Sequence, residues 1–64
     1  MSKDNINIVY GFLKKTEPQT PSQIAKKANL NQKTVQTILL ELVATDDNVK
    51  MKKIGRYRLF WKEK

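Results

Sequence analysis

Apolar positions recur at helical spacing three times along the chain and then switch to strict alternation. Across 4–15, "DNINIVYGFLKK", Ile6, Val9, Tyr10 and Leu13 fall at i, i+3, i+4 and i+7, one stripe of an amphipathic helix. Asp4 suits its N-cap, and Lys14 and Lys15 suit the negative end of its dipole. Gly11 costs such a helix about 1 kcal/mol relative to Ala; close approach by another helix, or a kink, would account for it. "TEPQTP" then breaks the pattern, because Pro18 and Pro21 each disfavour helical geometry in the residue before them.

The stretch "TPSQIAKKANLNQKTVQ" holds two helix starts close together. Thr20 reads as an N-cap, Pro21 as the first helical residue and Gln23 as the partner completing a capping box, so a short helix is predicted over 21–28. Ile24, Ala25 and Ala28 would face inward. Asn29 can take the left-handed conformation that ends a helix, with Leu30 packing back. Asn31 caps a third helix over 32–44, in which Val35, Ile38, Leu39 and Leu42 repeat the i, i+3, i+4, i+7 stripe. Two helices joined by so short a turn form a helix-turn-helix.

After the turn "ATDDN" the period becomes two. "VKMKKI" (49–54) and "YRLFWK" (57–62) flank "GR", which predicts a hairpin with Gly55 serving the turn. Val49 and Met51, with Tyr57, Leu59 and Trp61, form the expected apolar face. Trp61 is expected to close the hairpin onto the first and third helices in preference to stacking on nucleic acid, and the other face is basic except for Phe60. The expected architecture is α+β: three helices and a two-stranded wing, one domain over 1–64.

Composition narrows the chemistry. A chain of 64 residues buries roughly 60% of the surface its unfolded form exposes, so its core is marginal. With no Cys and no His, a disulfide framework, a thiolate site and the commonest general base are all missing. The six acids are scattered, with Asp46 and Asp47 adjacent on a turn, and no glycine-rich phosphate loop occurs. No enzyme, cofactor or metal is expected. No apolar run reaches the roughly 18 residues that span a bilayer, and "MSKDNINIV" does not read as a signal peptide, so a cytoplasmic protein is expected.

Charge adds more. Thirteen Lys and Arg against six Asp and Glu give +7. From Lys50 to Lys64, seven basic residues and one acid carry +6 of that total. Such concentration is the footprint of a polyanion partner. On the third helix, opposite its apolar stripe, stand Gln32, Lys33, Gln36 and Thr37, groups that can bond base edges or phosphates.

On the capping box "TPSQ", the turn "ANLN", the pattern "VQTILLEL" and the wing "KMKKIGRYRLFW", the chain resembles the winged helix-turn-helix family from Asp4 to Lys62. The resemblance implies a third helix in the major groove and a wing on the backbone or minor groove. Gln32, Lys33, Gln36 and Thr37 then become groove-facing, and Lys52, Lys53, Arg56 and Arg58 become wing contacts. A partial similarity extends to the branch that binds Z-form nucleic acid. There, an asparagine and a tyrosine four residues apart on the third helix, and a proline pair before a wing tryptophan, carry recognition. Here Gln36 and Leu40 stand at the helix positions, and "RYRLF" precedes Trp61. The small, Lys-rich, Cys-free chain is also similar to compact regulators encoded by archaeal viruses and plasmids.

The expectation is therefore a small transcriptional regulator binding double-stranded DNA, as a monomer or as a weak homodimer through the first helix around Gly11 and Phe12. Tyr57 is open between packing and a phosphate bond. Leu40 is open between core, dimer interface and a thymine methyl, with packing favoured. Lys26 and Lys27 could touch the backbone beside the groove, and Lys62, Glu63 and Lys64 read as a solvated end. The rival is a protein-interaction adaptor, in which exposed Leu40, Phe60 and Ile54 would carry the energy.

Overall fold

The computed structural model describes residues 3–63, with Lys3 described by its backbone alone. Three helices, α1 (Lys3–Phe12), α2 (Pro21–Ala28) and α3 (Gln32–Thr45), precede an antiparallel hairpin of β1 (Val49–Ile54) and β2 (Tyr57–Lys62). This is the α+β winged-helix arrangement.

The local signals of α2 and α3 are met in atomic detail. Thr20 Oγ accepts from the Gln23 amide at 3.3 Å, while Gln23 Oε1 accepts from the Thr20 amide at 3.0 Å. Asn29 is left-handed at φ 56°, and the Leu30 amide donates back to the Ala25 carbonyl at 3.0 Å. Asn31 Oδ1 caps α3 through the Lys33 amide at 2.8 Å. Each cap satisfies backbone groups that the helix leaves orphaned.

Helix α1 departs from expectation at both ends. It begins by Lys3, which places Asp4 in the first turn instead of at the cap, where its carboxylate still complements the dipole. It ends at Phe12, three residues short of Lys15. The physical reason is tertiary: its last carbonyls are claimed by other elements. Gln19 Nε2 donates to the Phe12 carbonyl at 3.1 Å, and Lys62 Nζ donates to that of Tyr10 at 3.1 Å. The chain then bends at Lys15 and Thr16, so that Gln19 can exchange backbone hydrogen bonds of 3.0 and 2.8 Å with Phe60 on the outer edge of β2. Gly11 is exposed and a Cβ added to it would meet nothing within 4 Å, so among the described residues no other helix approaches that face.

The core joins Val9 and Leu13, Ile24 and Ala25, the α3 stripe of Val35, Ile38, Leu39 and Leu42, and two hairpin residues, Val49 and Phe60. Ile6, Tyr10, Phe12, Leu30 and Val43 pack around it. The helical stripes are those the spacing predicts, except that Ala28 stays outside the core and Leu13 falls just past the end of α1.

The faces of the hairpin are not. Ile54 pairs with Tyr57 across the Gly55–Arg56 turn, and the register continues as Lys53 with Arg58, Lys52 with Leu59, Met51 with Phe60, Lys50 with Trp61 and Val49 with Lys62. Direct partners share a face. Val49, Met51 and Lys53 therefore stand with Arg58, Phe60 and Lys62, and Val49 and Phe60 are the side chains that enter the core. Trp61 is half-buried on the outer face opposite Lys50, with Leu59 and the exposed Tyr57 beyond it. The reason is parity: a two-residue turn always pairs an odd position with an even one. Val49 and Met51 cannot share a face with Tyr57, Leu59 and Trp61.

Lys62 is likewise no solvated end. Its ammonium lies 4.6 Å from the centroid of the Tyr10 ring while bonding the Tyr10 carbonyl, which pins the wing base to α1. Lys64 lies outside the described residues. Among the described residues no helix is long and apolar enough to cross a membrane.

Candidate nucleic-acid interface

The inner face of the hairpin has two parts. At its base Val49 and Phe60 are buried against the helices. Towards the turn the strands run on past the core, and the same face, now Lys53 and Arg58, becomes one wall of an open cleft of about 630 Å³. Gln32 and Gln36 from the start of α3 form the opposite wall, and Gly55, Arg56 and Tyr57 contribute from the wing tip. Gln32 and Gln36 lie four residues apart, one helical turn, so their amides rise from the same side of α3.

Six of the nine residues expected from the sequence thus meet in one place: Gln32, Gln36, Lys53, Arg56, Tyr57 and Arg58. Lys33 and Thr37 line a second, more open depression of about 370 Å³ with Asn31 and Thr34, on the neighbouring flank of α3. The Thr37 hydroxyl donates to the Lys33 carbonyl at 2.9 Å, so towards a ligand it can offer a lone pair and a methyl but not its proton. Lys52 stands apart from both, on the outer face opposite Leu59. Lys27 donates to Gln19 Oε1 at 3.2 Å, which turns one of its donors to holding the fold.

Thr20, Pro21 and Ser22 complete the cleft and were not among the expected site residues. They bring the N-terminus of α2 to it, where the positive end of the helix dipole favours an anion; Pro21 has no amide N–H, and the capping box engages those of Thr20 and Gln23. The capping box already announces that N-terminus in the sequence; that it opens beside the wing depends on how α2 packs between α3 and β2.

No Asp or Glu lines either depression. The cleft offers three cations, two primary amides, a phenol and a helix N-terminus. That inventory matches a phosphate ridge flanked by base edges. Leu40, expected to pack, is 38% exposed on α3, one turn beyond Gln36.

Three helices, a helix-turn-helix and a basic wing define a winged helix-turn-helix protein. Residues 18–62 match the Mnd1 HTH domain, and the chain belongs to that family. The matched segment runs from the approach to α2 through the end of β2 and so includes both walls of the cleft. No curated protein and no solved structure shows a significant match to the chain.

Proposed function

We propose that this protein binds double-stranded DNA as a small transcriptional regulator. The observation that carries the reading is the acid-free cleft in which Gln32 and Gln36 of α3 face Lys53, Arg56 and Arg58 of the wing. The start of α3 enters the major groove, where Gln32 and Gln36 address base edges, Lys33 bonds the flanking backbone and Thr37 presents its methyl and a lone pair to the bases. The phosphate ridge between the grooves lies in the cleft, against Arg58, Lys53 and the N-terminus of α2. Arg56 and Tyr57 reach over it towards the minor groove, and Lys52 adds charge from the outer side. The protein acts in the cytoplasm as a monomer or weak homodimer, and it is a binding protein, not an enzyme.

Phosphate neutralisation dominates such binding and makes it salt-dependent. Fluorescence anisotropy of a labelled duplex across a salt series should give a log–log slope of roughly −4 to −5 for about five phosphates. Arg56→Ala with Arg58→Ala should flatten that slope by about 2 and weaken binding to every sequence alike. A wild-type slope near −1 would sink the reading. An alternating CG duplex in the same series tests the Z-form alternative, which requires tighter binding with a left-handed circular dichroism signal.

One observation favours an adaptor as the second reading: Leu40 is exposed on α3, one turn beyond Gln36. Phe60 drops out of that reading because it is fully buried. An adaptor would lose its partner on Leu40→Ala and keep it when the arginine pair is removed.

A further inference from the structure

The wing tip carries apolar surface that the core does not use. Ile54 is 51% exposed and Tyr57 67%, the two highest values among the large hydrophobic side chains described. They are direct partners across the Gly55–Arg56 turn, so their side chains stand together on one face. Neither belongs to the core or to the shell packed on it. Tyr57 reaches the rim of the cleft, whereas Ile54 lies outside it.

What surrounds this pair is cationic. Arg56 sits on the turn itself, Lys53 and Arg58 form the next pair back, and Lys52 follows Ile54 along the outer face. No acid occurs anywhere from Val49 to Lys62. An apolar tip ringed by cations complements a groove with anionic walls and a stacked, apolar interior, which is the form of a duplex minor groove.

The mount is also stiff. The strands stay in register from Val49–Lys62 to Ile54–Tyr57. Phe60 fixes their base in the core, Gln19 closes the outer edge of β2 and Lys62 clamps onto Tyr10. A lever fastened in this way can load a base step without folding back.

We propose that Ile54, with Tyr57 beside it, enters the minor groove as an apolar wedge, partly unstacks one base step and bends the duplex. This rests on the duplex-binding reading above and extends it from contact to deformation. Apolar side chains inserted between base steps kink DNA by about 20–90° towards the major groove. Pyrimidine–purine steps yield most easily, so a TA step is preferred over a stiff A-tract.

The test uses duplexes of about 30 base pairs, a length at which bending has a measurable cost, labelled at their ends with a donor and an acceptor. One carries a central TA step and the other an A-tract. Anisotropy and energy transfer are read from the same samples for the wild type, Ile54→Thr, and Arg56→Ala with Arg58→Ala. Threonine keeps the β-branched shape that suits a strand, so the hairpin is retained, and circular dichroism checks this. Energy transfer should rise as the wild type saturates the TA duplex, which it should bind several-fold more tightly than the A-tract. Ile54→Thr should still bind with the same salt slope but lose the rise in transfer and the TA preference. The arginine variant should bind both duplexes more weakly, with the flatter salt slope. Saturation by the wild type without a change in transfer, or bending by Ile54→Thr as large as the wild type's, overturns the wedge and leaves duplex binding standing. The Ile54–Tyr57 pair would then belong to a protein contact. No binding of either duplex at low salt overturns the duplex reading itself, and the wedge with it.

Discussion

Phe60 and Tyr57 stand three residues apart on one strand, yet the first is fully buried and the second is 67% exposed. Around Phe60 every group of the hairpin has a partner outside it: Gln19 along the strand edge, the core beneath, and Tyr10 under Lys62. Around Tyr57 the strands have only each other. A two-stranded ribbon is marginal in water by itself, so the base must be fastened if the tip is to be held out at all. The fastening frees the tip from any duty to the fold. That is why cations and exposed apolar groups can gather there.

The largest effect should come from the base. Phe60→Ala should cost about 3–5 kcal/mol, and at this chain length each kcal/mol moves Tm by about 4–8 °C in a thermal melt. Trp61→Ala, on the half-buried outer face, should cost clearly less despite removing a larger side chain. The reverse order would mean that Trp61 closes the hairpin and that the register described here is wrong.

Gln19 should come next. It is the buried polar side chain among the described residues, at 1% exposure, and it ties α1, α2 and β2 together. Gln19→Leu keeps the backbone bonds to Phe60 but leaves the Phe12 carbonyl without its side-chain donor, which costs about 1–3 kcal/mol. A urea titration that shows no loss would mean that the base of the wing is held by Phe60 alone.

At the tip, Ile54→Thr should change stability by no more than about 0.5 kcal/mol, since it leaves packing untouched. Measured in the same melts, a loss comparable to that of Gln19→Leu would erase the contrast between the two ends. Ile54 would then be a structural residue and no candidate for a wedge.

Much of the fold was legible because it is local. Thr20, Gln23, Asn29 and Asn31 write the ends of α2 and α3 within three or four residues of each cap, and the α3 stripe needs only the helical period. Much of the candidate site was legible too, since amides and cations on the solvent side of α3 and along the wing stand out against an acid-poor background. The faces of the hairpin could have been read as well: the turn assignment already contained the parity that sends Phe60 inward. Alternation alone misleads there, because Tyr57, Leu59 and Trp61 are as apolar as the single residue that is buried.

The sequence by itself determined the caps of α2 and α3, the α3 stripe, the two-residue turn and the excess of positive charge, all properties of neighbouring residues. Only the tertiary structure decided where α1 stops, because the groups that take its last carbonyls, Gln19 and Lys62, come from 7 and 52 residues away. It also decided that the N-terminus of α2, the first turn of α3 and the tip of the wing share one cleft. That meeting depends on how the helices pack around Phe60, and no local pattern encodes the packing.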